Sequence, residues 1–319
     1  MRYCLLVLIS LVGLHPQLAI AADPSPAEVR GYFTTERAIV TGLVEGTTEY
    51  LPVSSTGHMI ISDELMKVPK NSDIFVAGVN DRKGRPISLE RVADDYIVII
   101  QLGAILAVVV AFAGRFQKIL VGMFRREPSA FKLIRSIILA FLPAALLGYL
   151  IKDYIPFNIT IVAVALILGG ILIFVAEKLL PALNANGDEI EAMRPGQAIG
   201  VGFCQCVALI PGTSRSLVTI LGGRWVGLST AAATEFSFLV GFAILSAASV
   251  YKMASLGSAL TQIYPIGNAC IGLLIAAVTA FISVKWMVGF ILRRGMGPFA
   301  WYRIVLGSAI LGAKAYGWL

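Results

Sequence analysis

Two short segments bring chain breaks and polar side chains into sequence that is otherwise membrane material. The first runs Gly42-Leu-Val-Glu45-Gly-Thr-Thr-Glu49-Tyr-Leu-Pro52-Val-Ser54-Ser55-Thr56-Gly57-His58. The second runs Gly202-Phe-Cys-Gln205-Cys-Val-Ala-Leu-Ile-Pro211-Gly212-Thr213-Ser214-Arg215-Ser216-Leu-Val-Thr219. Each begins as an apolar, helix-like stretch, breaks at Pro or Pro-Gly, and continues with hydroxyls. A shift of 160 positions carries Gly42 onto Gly202, Glu45 onto Gln205, Ser54 onto Ser214 and Thr56 onto Ser216. Interrupted apolar segments at matching places in two halves of a chain mark an intramembrane site. Ionisable side chains at that depth are costly enough to imply function.

Composition supplies the setting. Of 319 residues, 57% are hydrophobic and 14% charged, and the mean hydropathy is +0.82; a soluble domain carries roughly 25% charged residues. Six stretches, near 95–113, 133–151, 157–176, 230–251, 265–284 and 299–316, suit a hydrocarbon core that needs about 20 residues. The two motif segments read instead as re-entrant helix-loop-helix hairpins, which are tolerated only where protein or a water-filled cavity satisfies the freed backbone. The expected fold is an all-α integral membrane protein of two inverted repeats, about 34–176 and 196–316. Each repeat is a re-entrant helix-loop-helix plus three transmembrane helices. Three spans are an odd number, so the second repeat sits upside down relative to the first.

The net charge of +7 reads as membrane topology rather than as a nucleic-acid surface. The connections 114–135 and 285–303 are strongly basic and are expected on the cytoplasmic side. This puts 152–156, 254–264, the polar loop 62–93 and both termini outside. Residues 1–22 read as a signal peptide, with Arg2, an apolar run and Ala19-Ile20-Ala21 as a cleavage site. That leaves 23–319 as a single transmembrane domain. Cys204, Cys206 and Cys270 lie in apolar segments and read as packing residues.

The polar cluster has a definite chemistry. Glu45 and Glu49 are four apart and share a helix face, so they can share a proton, bind a divalent cation such as Mg²⁺ or Ca²⁺, or act as general base. Ser54, Ser55 and Thr56 after Pro52, and Thr213, Ser214 and Ser216 after Pro211-Gly212, are capping types at new helix starts, where anions are favoured. Thr219 follows within one turn. His58 falls in the first turn beyond the serines and, kept neutral, can accept a serine proton. Arg215 matches phosphate oxygens bidentately. Together these residues describe a site for a phosphate or diphosphate. No Gly-x4-Gly-Lys-Ser/Thr and no His-Glu-x-x-His occurs, so neither a nucleotide nor an organic cofactor is expected.

The string from Glu45 to His58, with Pro211-Gly-Thr-Ser-Arg-Ser216, resembles the undecaprenyl-diphosphatase (bacitracin-resistance) family over about 34–319. Ile100 to Ile105 and Ala233 to Phe238 are part of the likeness. The resemblance implies hydrolysis of undecaprenyl diphosphate to the monophosphate carrier of cell-wall synthesis. It also implies a site facing the periplasm across the bacterial inner membrane. The chain departs from the family pattern in Leu217 and Val218 after Ser216, in its N-terminal extension and in a polar insertion near 70–90. Two mechanisms remain open: Ser55 as nucleophile with His58 as base, which is preferred, or a water activated by Glu49 or His58. The alternative function is an inverted-repeat transporter or flippase of a polyprenyl phosphate lipid. A second class of membrane lipid phosphatase needs a His where this chain has Leu221. The sequence leaves a homodimer open.

Overall fold

The computed structural model describes residues 23–151, 158–180 and 189–317. The expected signal peptide and the expected outer connection 152–156 lie outside the described residues.

Both interrupted segments fold as the breaks demand. The first is α2 (Thr35–Thr48), a turn through Pro52, and α3 (Ser55–Leu65), preceded by the short α1 (Pro26–Gly31). The second is α8 (Pro195–Cys206), a 3₁₀ turn at Val207–Leu209, and α9 (Arg215–Trp225). The repeat is visible in backbone detail. Ser54 has φ 73° and ψ 98°, and Ser214 has φ 78° and ψ 115°. In each, the serine Oγ accepts from the backbone N–H three residues on (Gly57 and Leu217, both at 3.3 Å). A non-glycine residue at positive φ is uncommon, and two of them 160 positions apart start two helices of 11 residues each.

Between and after these segments run α4 (Leu89–Ala111), α5 (Ala113–Phe124), α6 (Pro128–Ile151), α7 (Ile159–Leu179), α10 (Thr230–Leu256), the short α11 (Ala259–Ile263), α12 (Ile266–Arg294) and α13 (Gly297–Ala315). Five of these, α4, α6, α7, α10 and α12, are long and apolar enough to cross a membrane. The sixth expected span is α13, 19 residues long. The repeats embrace each other: α2 packs on α12 of the second repeat, and α8 packs on α6 of the first. Small residues permit this close approach. A Cβ on Gly42 would stand 2.5 Å from the Gly272 carbonyl oxygen, and one on its counterpart Gly202 would stand 2.9 Å from that of Ala140.

Several connections differ from the sequence reading. The polar loop 62–93 holds an antiparallel hairpin, β1 (Phe75–Asn80) with β2 (Pro86–Ser88), and α4 begins at Leu89 rather than near 95. Val76, Val79 and Ile87 of the hairpin share one apolar cluster with Val29 of α1 and with Ala259 and Ile263 of α11. The start of the described chain, the hairpin and the 254–264 connection therefore sit at one end, on the same side as each other. The basic connection 114–135 is mostly helical, because α5 continues from α4 with its own apolar stripe. The connection 285–303 shrinks to Gly295 and Met296. Arg303, counted with it as a loop cation, is instead a fully buried residue of α13.

Candidate active site

The turns that open α3 and α9 converge on one cavity of about 180 Å³, lined by Glu49, Ser54, Ser55, Thr56, Gln101, Ala208, Ile210, Pro211, Gly212, Ser214, Arg215 and Leu245. The two halves are stitched through main-chain groups. Ser214 Oγ and Ser216 Oγ both donate to the Leu51 carbonyl, at 3.4 and 2.8 Å. The α3 and α9 starts thus bring two sets of backbone N–H groups to one polar space, a setting that favours an anion.

Glu49 is the hub. Its Oε2 accepts from Ser55 Oγ at 2.5 Å and from Gln101 Nε2 at 3.3 Å, and its Oε1 pairs with Arg215 Nη2 at 3.2 Å. Arg215 also donates through Nη1 to the Ser237 carbonyl at 3.0 Å, and its guanidinium lies 5.4 Å from the Tyr50 ring centroid. Its Nε has no hydrogen-bond partner. Gly241 of α10 keeps the space for the fork, since a Cβ there would stand 2.2 Å from Nη1. Glu45 lies one turn before Glu49, 1% exposed and off the cavity wall, with Oε1 unpartnered.

The remaining sequence candidates divide into two groups. Ser54, Ser55, Thr56, Gly212, Ser214 and Arg215 face the cavity. Thr213, Ser216, Thr219 and His58 do not line it. Ser216 is held by Leu51. Thr219 Oγ1 bonds the Arg215 carbonyl at 2.8 Å and Ser237 Oγ at 2.5 Å. His58 points away from Ser55: its Nδ1 lies 2.7 Å from the Ser54 carbonyl oxygen and its Nε2 lies 2.6 Å from Tyr302 Oη. The expected pairing of Ser55 with His58 is therefore replaced by Ser55 with Glu49. The reason is local. Ser54 at positive φ turns Ser55 back toward α2, while His58, three residues on, faces α13.

Sequence reasoning passed over Gln101, Ser237, Gly241, Tyr302 and Arg303. Gln101 had a usable signal, a lone amide inside an apolar span.

Residues 38–309 match the family described as Bacitracin resistance protein BacA. This chain is a member of the BacA family. A relative named undecaprenyl-diphosphatase from Rhizorhabdus wittichii is 38% identical over 276 residues, covering 86% of this chain and 95% of the relative. Undecaprenyl-diphosphatase 1 of Chromobacterium violaceum is 39% identical over 278 residues, covering 86% and 94%. An undecaprenyl-diphosphatase of Pseudomonas putida strain GB-1 is 38% identical over 291 residues, covering 90% and 97%. The BacA match begins inside α2 and ends inside α13, so both interrupted segments belong to it.

Proposed function

We infer that the protein is an undecaprenyl-diphosphate phosphatase, hydrolysing the lipid diphosphate to undecaprenyl phosphate and inorganic phosphate and thereby conferring bacitracin resistance. The observation that carries this reading is the Ser55–Glu49–Arg215 constellation at two helix starts within a membrane-embedded fold. In the proposed reaction Ser55 Oγ attacks the terminal phosphorus. Glu49 takes the serine proton, the bridging P–O bond breaks, and undecaprenyl phosphate leaves. Water then attacks the phosphoserine phosphorus, Glu49 returns its proton to Ser55 Oγ as the Oγ–P bond breaks, and inorganic phosphate leaves carrying the water's oxygen and protons. Arg215 holds the diphosphate oxygens as a fork, exchanging Glu49 for phosphate as the substrate enters. A transporter needs no hydroxyl hydrogen-bonded to a carboxylate beside an arginine, so that alternative is not favoured.

A divalent cation belongs to the same proposal. Glu45 and Glu49 would hold it, a reading supported by the unpartnered Oε1 of Glu45. Mg²⁺ is commonly held by one or two carboxylates together with substrate phosphate oxygens, and it would neutralise charge on the diphosphate. Among the described residues, no group of three or more His, Cys, Asp or Glu side chains could hold an ion by itself.

The proposed location is the bacterial inner membrane with the cavity open to the periplasm. Exposed Lys118, Arg125 and Arg126 support a cytoplasmic placement of α5. A reporter inserted near Arg126 should report a cytoplasmic position; a periplasmic signal would reverse the orientation. The activity itself is tested by phosphate release from undecaprenyl diphosphate by purified protein in detergent. Transport of the intact lipid without phosphate release would overturn it.

A further inference from the structure

Two adjacent side chains of α13, Tyr302 and Arg303, reach the turn that presents Ser55. Arg303 is fully buried, and no carboxylate pairs with it among the described residues. It donates instead to four main-chain carbonyls. Nη1 meets Pro52 at 3.1 Å, Nη2 meets Gly212 at 2.9 Å and Ala165 at 3.0 Å, and Nε meets Leu166 at 3.3 Å. Pro52 and Gly212 are the break residues of the two interrupted segments, so one guanidinium ties both turns to α7. A backbone released from its helix at membrane depth needs such partners. Gly169 of α7 leaves the room, because a Cβ there would stand 2.1 Å from Nη2.

Tyr302 holds the other end of the same turn. The Ser54 carbonyl can only accept, so His58 Nδ1 carries the proton and Nε2 keeps the lone pair. Nε2 then accepts the Tyr302 hydroxyl at 2.6 Å, with the two rings within 4° of parallel. The chain of contacts runs from the Tyr302 hydroxyl through His58 to the carbonyl of Ser54, the residue held at φ 73° immediately before Ser55. Positive φ in a non-glycine residue persists only where its surroundings over-determine it.

We propose that Tyr302 and Arg303 are positioning residues for the reaction, bracing residues 52–54 so that Ser55 Oγ meets Glu49, with His58 serving as a strut between Tyr302 and Ser54 rather than as the base. This rests on the reading of Ser55 and Glu49 given above. Displacing a reacting group by about 1 Å can cost about 10² in rate.

The test uses full-length protein in detergent and phosphate release from a short-chain prenyl diphosphate, followed as kcat and KM across pH. Tyr302→Phe keeps the ring and loses the hydroxyl. It should lower kcat about tenfold or more while KM stays within about twofold, as expected of a group that orients the reaction without binding substrate. His58→Asn keeps an N–H for the Ser54 carbonyl but has no basic nitrogen. It should retain measurable turnover with the wild-type acidic limb, and combining it with Tyr302→Phe should add little. Gly169→Ala presses a methyl group against Arg303 Nη2 without removing the guanidinium; it should reproduce the kcat loss with KM within about twofold, in protein that still folds but melts below wild type. Wild-type kcat in Tyr302→Phe would overturn the proposal. So would a His58→Asn variant that is inactive or has lost the acidic limb, since that would make His58 the base. An inactive wild type would instead overturn the phosphatase reading itself.

Discussion

Ser55 Oγ lies 2.5 Å from Glu49 Oε2, the closest polar contact that Ser55 makes across the break between α2 and α3. The arrangement gives Ser55 its own proton acceptor and leaves Glu49 Oε1 on Arg215. Glu49→Gln keeps the shape and removes the acceptor, so turnover should fall about 10² or more. Ser55→Ala should fall at least as far. The double variant should be no worse than the poorer single, because the two act as a unit. Single-turnover measurement with labelled substrate checks this; additive losses would separate the two residues.

Arg215 is held as a fork between Ser237, Glu49 and the space left by Gly241. Arg215→Lys replaces two parallel donors by a point charge and should lose most turnover. Gly241→Ala pushes a methyl group into Nη1 from a residue that does not line the cavity. Activity should fall about tenfold or more while the protein still folds, as read by phosphate release alongside a detergent melting curve. Normal activity in Gly241→Ala would mean that the fork's position is not critical.

The contact of α2 with α12 depends on Gly46 as well as Gly42. A Cβ at Gly46 would stand 2.0 Å from Thr279 Oγ1 and 2.4 Å from the Ala276 carbonyl oxygen, and backbone cannot move aside as a flexible side chain can. Gly46→Ala should therefore destabilise by about 1–3 kcal/mol through overpacking. Thermal unfolding in detergent measures it. An unchanged midpoint would show that the two helices can separate without loss.

Outside the membrane segments, Asp81 organises the β1–β2 hairpin. Burial by itself raises its carboxyl pKa. The Arg85 N–H, the Arg91 and Arg85 guanidiniums and the Lys83 N–H outweigh that and hold it well below the usual carboxylate range. A depressed folded-state value means the stabilisation is complete above the unfolded value near 3.9 and fades as pH falls below it. The stability difference between wild type and Asp81→Asn should be constant from about pH 8 to about pH 5 and shrink below about pH 4. Paired melting curves across that range check the sign; a difference that grows on acidification would contradict it.

The membrane setting, the two breaks, the repeat and most of the polar inventory are legible in the order of the amino acids. These follow from local causes: apolar length, Pro and Pro-Gly interruptions, capping hydroxyls and the 160-residue correspondence of Gly42 with Gly202 and Ser54 with Ser214. The pairing of those polar groups emerges only when the helices pack. Arg215 reaches Glu49 across 166 positions, Tyr302 reaches His58 across 244, and Arg303 reaches Pro52 across 251. Spacing along the chain carries no information about such partners, because they depend on how α2, α9 and α13 are rotated where the two repeats embrace. His58 shows the consequence. Three residues from Ser55 it is within reach by count, yet the left-handed backbone at Ser54 sends the two side chains to different neighbours. Arg303 shows the same in reverse. Read along the chain it is one more basic residue at a helix end, and only packing against α7 and both turns makes it a buried clasp on four carbonyls.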